Sequence, residues 1–177
     1  RFLSTLSNMC VNEGIILEPI SSESLTKTSK EYFSFIWQLY YEMQMPMLLG
    51  FKKVYGDLES FHVHGICIVN HALHSKKNNN SQMSKEFYLE KYFFADQKDE
   101  VGVNAMSISD ITDIPRATVI RKLNKLLKEK FLKIDSKKHY STTGVHQKKI
   151  LDVQKNTLDN LSNLAARIYN LSLMKDN

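Results

Sequence analysis

Proline and glycine are scarce in this chain, at 3 and 6 of 177 residues, and cysteine is scarcer still at two. Turn-dense β architectures need more of both turn formers, so helix is expected to dominate. Cys10 and Cys67 are too few and too far apart for a disulfide framework, which makes a reducing cytoplasm the expected setting. Long hydrophobic runs are missing as well. The greasiest stretch, Tyr32 to Tyr55, carries Glu42, Lys52, Lys53 and two glutamines, a density no membrane span tolerates, so no membrane partner is expected. No signal peptide is visible, and because the chain opens on Arg1 rather than Met an upstream address can have been removed. Gly-rich phosphate loops and paired carboxylates are absent, so neither an enzyme nor a cofactor is expected. The 42% hydrophobic content is enough to bury a core.

What is present is concentrated between Ser107 and Thr143. Ser107 can accept a hydrogen bond from a first-turn N–H, and Asp110 puts negative charge at the positive end of the same short helix. Ile108, Ile111 and Ile114, three apart, are expected to form one buried edge. Pro115 fixes φ where the next helix begins and needs no N–H partner there. In that second helix Val119, Leu123, Leu126 and Leu127 form a core-facing stripe, which leaves Arg116, Thr118, Arg121, Lys122 and Lys125 off it. Phe131 to Asp135 and Tyr140 to Thr143 alternate as two short strands around Ser136, Lys137, Lys138 and His139.

Charge follows the same segment. From Pro115 to Lys149 eleven Lys or Arg stand against Glu129 and Asp135, a net of +9 in a chain whose total is +5, so the remainder sums to −4. A basic helix is most often a solvated face. Here the basic run coincides with the second helix and the hairpin, which favours nucleic acid.

Helix, tight turn, basic helix and lysine-tipped hairpin together resemble the winged helix-turn-helix of bacterial transcriptional regulators, most nearly the MarR-like group, with looser similarity to IclR-like and GntR-like domains. The resemblance rests on Ile111 to Leu132, above all Thr118-Val119-Ile120-Arg121-Lys122-Leu123 with Leu126, Phe131 and Leu132. Two positions depart from the pattern. Asp113 and Lys130 stand where glycine is usual, and both sites tend to require positive φ. The resemblance implies a mainly α fold with a small β-hairpin wing, a recognition helix in the major groove, and a wing on the backbone. The DNA-contacting residues expected are Ser107, Pro115, Arg116, Thr118, Arg121, Lys122, Lys125, Lys137, Lys138 and His139. The partners it implies are double-stranded DNA, a second copy of the chain and a small-molecule effector near the junction of the dimer helices with the DNA-binding lobe. The alternative is a winged-helix module serving protein or RNA assembly.

Flanking segments complete an expected division into 1–56, 57–144 with a possible insertion at 76–105, and 145–177. The apolar clump Ile15, Ile16, Leu17 and Ile20 suits packing on a neighbour or a partner subunit. Thr28 with Glu31 reads as a capping box for a helix running to about Gln44, with a break or kink at Pro46 and a second helical piece from Met47 to Tyr55. Asp57 reads as the N-cap of a helix to about His74, Lys76 to Ser81 as a loop, and Met83 to Ala95 as helix. Either of the last two helices can serve as the first helix of the DNA-binding domain. Gln147 to Leu173 is expected as a long helix with rows Ile150, Thr157, Leu164, Leu171 and Gln154, Leu161, Ile168. This seam suits either dimerisation together with the Tyr32 to Met43 helix, the favoured reading, or packing on the chain's own N-terminal helices. His64, Cys67, His71 and His74 share one helical face. A rise of about 1.5 Å per residue puts the outer pair about 15 Å apart, so an exposed or interfacial histidine row is expected rather than a metal site.

Overall fold

The computed structural model describes residues 2–12, 14, 16–78 and 102–174. The chain divides into two compact units. One comprises Arg1–Met47 and Gln154–Asn177, the other Leu48–Val153. The N-terminal segment up to Met47 and the C-terminal segment from Gln154 thus fall in one unit. Among the described residues the architecture is helical with one two-stranded antiparallel hairpin.

The first unit contains α1 (Phe2–Asn12), α2 (Ser22–Glu31), the start of α3 (Phe33–Tyr55) and the C-terminal part of α7 (Gln147–Leu173). The N-cap of α2 is Ser21, whose Oγ accepts from the Ser24 N–H at 3.0 Å. Thr28 is therefore not a cap. It lies buried inside α2, where its Oγ1 accepts from Ser172 Oγ at 3.1 Å. The break between α2 and α3 sits at Tyr32, whose N–H still reaches the Thr28 carbonyl at 2.9 Å. Helix α3 then runs through Pro46 to Tyr55 without a break, so of the break or kink expected there the break does not occur. Proline removes one N–H from the ladder and orphans the carbonyl four residues earlier. Both Pro46 and Glu42 are exposed, so water can satisfy that group.

The core of this unit joins Ile20, Leu25 and Leu39 to Leu164, Ala165, Ile168 and Tyr169. The heptad-like seam of α7 is thus covered here by the chain's own helices, so that seam is not left waiting for a partner. Tyr169 donates its hydroxyl proton to the Leu3 carbonyl at 2.6 Å, and the Ile20 N–H donates to Ser7 Oγ at 3.1 Å. Of the apolar clump only Ile20 is buried, while Leu17 is fully exposed and Ile15 lies outside the described residues.

The second unit contains α4 (Leu58–Asn78), α5 (Ala105–Thr112), α6 (Arg116–Lys128), β1 (Leu132–Ile134) and β2 (Tyr140–Thr142). Asp57 caps α4 as expected, accepting from the Ser60 N–H at 2.7 Å. The helix continues to Asn78, so Lys76 to Asn78 extend it instead of opening a loop. The expected helix Met83 to Ala95 lies outside the described residues. Among the described residues helix α4 packs on α5, α6 and β2. The strands pair Leu132 with Thr142, Lys133 with Ser141 and Ile134 with Tyr140. Val103 adds a one-residue bridge to Tyr140 through two hydrogen bonds of 3.0 and 2.9 Å. Gly102 precedes it for a steric reason: a Cβ there would lie 2.7 Å from the His139 Cβ.

Two expectations about α5 require correction. Its N-cap is Asn104, whose side chain accepts from the Ser107 N–H at 2.9 Å, so Ser107 lies within the helix and is a donor through its backbone. Only Ile108 of the isoleucine trio is fully buried, and Ile111 is 61% exposed. The helix is two turns long and is gripped on one side only. The glycine-like positions behave as expected: Asp113 has φ 55° and Lys130 has φ 62°.

Candidate nucleic-acid interface

Helix α6 owes its orientation to a buried arc of Val119, Lys122, Leu123 and Leu126. Three of these are the apolar stripe. The fourth corrects the set of expected DNA contacts. Lys122 Nζ lies 2.8 Å from Asp57 Oδ1 and 2.9 Å from Glu59 Oε2, and the residue is only 9% exposed. Lys125 Nζ lies 3.0 Å from Asp57 Oδ2 and 2.6 Å from the Tyr55 carbonyl oxygen. The Lys122 ammonium is thus buried against the start of α4, and that of Lys125, one-third exposed, is held between Asp57 and the carbonyl at the end of α3. The spacing contained the hint, because position 122 is three residues after Val119 and four before Leu126, inside the arc that must be buried.

One carboxylate organises this corner. Asp57 caps α4, also accepts from Ser60 Oγ at 3.0 Å, and binds both lysines. Burial alone would raise its pKa, but hydrogen bonds from Lys122, the Ser60 N–H and Lys125 outweigh that and hold it well below the usual carboxylate range. Burial would likewise lower Lys122, and its bonds to Asp57 and Glu59 raise it instead.

The opposite face of α6 is left to solvent. Arg116, Ala117, Ile120, Arg121, Asn124 and Lys128 are exposed there, and Thr118 is half-buried beside them. Arg116 and Arg121 were expected on this face. Asn124 and Lys128 were not, although their spacing from Arg121, three and seven, places them on the same side. Pro115 occupies the N-cap position of α6 with φ −51° and contributes no side-chain cap.

Behind the helix the hairpin is anchored by its own polar contacts. Thr143 Oγ1 donates to the Lys130 carbonyl at 2.6 Å, and the Phe131 ring lies 4.1 Å, centroid to centroid, from that of His146. At the tip the Asp135 carboxylate accepts from the backbone N–H groups of Lys137 and His139, both at 2.8 Å. These bonds, led by that from His139, hold Asp135 below the usual carboxylate range. Lys138 adopts φ 61° at this tight turn. The Lys137 and Lys138 side chains are exposed, as expected, whereas His139 turns back with its Nδ1 3.4 Å from Asp135.

The histidine row is not an exposed feature. His64 is fully buried, its Nδ1 2.7 Å from the Tyr55 hydroxyl and its Nε2 2.9 Å from Thr142 Oγ1, so it ties α4 to β2. Burial, helped by the facing His146, lowers its pKa from 6.5 to about 3. Cys67 is buried one turn on, and burial pushes its thiol up to about 12, which leaves no thiolate at neutral pH. His71 and His74 are half-buried.

No protein-family profile, characterised protein or solved structure matches this chain significantly. Among the described residues no helix is long and apolar enough to cross a membrane.

Proposed function

We propose that the second unit is a winged helix-turn-helix module that binds duplex DNA, with α6 in the major groove and the β1–β2 wing on the backbone, and that the protein regulates transcription as a dimer. The observation that carries this reading is the division of α6 into two faces. Its inner lysines are neutralised by Asp57 and Glu59, while Arg116, Arg121, Asn124 and Lys128 remain free to meet a ligand on the outer face. Arginine pairs with guanine O6 and N7 and asparagine with adenine N6 and N7, so Arg121 and Asn124 are the base readers and the wing lysines the phosphate contacts.

Titrating binding to duplex DNA with salt tests the reading, since many phosphate contacts give a steep log–log slope. Charge reversal of Lys137 and Lys138 should flatten that slope by about one to two units. Arg121→Ala should weaken specific binding by about 1 to 3 kcal/mol more than binding to random duplex. Lys122→Met should leave the slope unchanged. The alternative, a module for protein or RNA assembly, draws on the exposed Ile111 and Ile120 near the same surface. An absence of duplex affinity at low salt would favour it.

A further inference from the structure

The helix face that the first unit leaves uncovered is aromatic. Along α3, Leu39 enters the core and Ile36 and Met43 pack against it, which fixes the inner side of the helix. Phe33, Trp37, Tyr41 and Met45 lie outside that contact and are 60%, 47%, 45% and 45% exposed. They are spaced by four, so they form one continuous i±4 ridge that advances about 40° around the helix at each step. The side chains are already ordered against each other. Trp37 stacks on Phe33 at 5.6 Å between centroids and meets Tyr41 edge-on at 5.4 Å. Little rotamer freedom is left to lose when the ridge is covered.

From these observations we infer that the ridge is the docking surface for a second copy of the same chain, the two α3 helices crossing on a two-fold axis at Trp37. Three features select this occupant. First, the geometry is self-complementary. With Trp37 on the axis, Phe33 of each copy faces Tyr41 of the other, as an isologous contact requires, and an i±4 ridge packed into its own equivalent is the commonest helix-crossing class, at about −50°. Second, the area is right. The exposed parts of the four side chains amount to roughly 400 Å² of apolar surface. A stable interface buries about 800 Å² per partner, of which about 57% is apolar, or roughly 450 Å². Third, the charge is right. Glu42 is the single charged residue between Tyr32 and Phe51, and it accepts a hydrogen bond from Gln38 Nε2 at 2.9 Å, so two copies meet without like-charge repulsion. A membrane surface would instead call for lysines or arginines beside the apolar ridge, and this span of α3 has none.

This surface supplies the dimer in the proposed function and depends on that reading only for its consequence on DNA. Sedimentation of the full chain at micromolar concentration should give a dimer, and Trp37→Glu with Tyr41→Glu should give a monomer with an unchanged circular dichroism spectrum. On a duplex carrying two half-sites the double variant should bind about a hundredfold more weakly, while its affinity for a single half-site stays the same. Trp37→Cys supplies a second measurement that does not rely on disruption. Oxidation with diamide should link two chains through that thiol, with the unmodified protein as the control for Cys10 and Cys67. A monomeric wild type, or a double variant that remains dimeric, would overturn the inference and leave the DNA reading standing. A dimer dissolved by the double variant, without duplex affinity, would uphold this surface and remove the DNA reading instead.

Discussion

The two units solve the problem of burying polar atoms in opposite ways. In the first, the buried polar side chains are hydroxyls: Ser7, Thr28 and Ser172, bonded to one another or to nearby carbonyls. In the second they include a histidine and a lysine, His64 and Lys122, held by Tyr55, Thr142, Asp57 and Glu59. Hydroxyls carry no charge to be titrated or screened, whereas ionisable groups couple folding to solution conditions. The lesson is that between about pH 3 and 7 the second unit has a stability that pH and salt can adjust, whereas the first unit, where burial raises the Tyr169 hydroxyl, responds on the alkaline side.

That contrast can be broken by substitution. Ile168→Ala, in the core of the first unit, should have the largest effect, about 4 kcal/mol from lost burial and a cavity. Urea denaturation should report the same loss at pH 5 and pH 7. Asp57→Ala should cost about 2 kcal/mol in the second unit, since it removes a helix cap and leaves the buried Lys122 ammonium with Glu59 as its one remaining carboxylate. Chemical denaturation of the Asp57→Ala, Lys122→Met pair should recover part of that loss. If the double variant is no more stable than the single one, Lys122 is not the group left uncompensated.

Acidification sharpens the comparison further. Unfolded, His64 takes up a proton near pH 6.5, but the folded protein resists until about pH 3. Between those values the unfolded state binds the extra proton, so stability should fall with pH at up to about 1.4 kcal/mol per unit. His64→Gln should flatten the profile between pH 6.5 and 4. Asp57 acts lower: its folded pKa is depressed, so its contribution is present above about pH 4 and lost as pH falls further. A wild-type profile that is level from pH 7 to 5 would refute the role given to His64. The smallest expected effect returns to the first unit. Ser172→Ala should cost about 1 kcal/mol, independent of pH, for the bond to Thr28.

Legibility in the sequence followed the range of the interaction. The stripe of α6, the cap at Asp57 and the left-handed positions at Asp113 and Lys130 are local facts, and local pattern was enough to read them. Among neighbouring polar residues the pattern could not choose, which is why Asn104 rather than Ser107 caps α5. The fates of Lys122 and Lys125 were hidden because their partner Asp57 lies far back in the chain, and a lysine is ordinarily assigned to solvent. Thr28 resembled a cap because nothing nearby reveals Ser172. Val103 was illegible as strand, since one bridged residue has no periodicity. For the candidate interface, the exposed arginines and wing lysines were readable from spacing, and the two inner lysines required the tertiary structure.

Lys130 and Lys138 have a consequence for how this sequence can change. Both hold left-handed backbone conformations, at φ 62° and 61°, that glycine adopts without strain. Replacing either by glycine should stabilise the fold by about 1 kcal/mol and delete one positive charge beside the outer face of α6 or at the wing tip. Selection for heat resistance alone would therefore drive both codons toward glycine, and selection for grip on a polyanion would hold them at lysine. A library randomised at these two positions and passed through each selection separately would show whether the two pressures pull these residues in opposite directions.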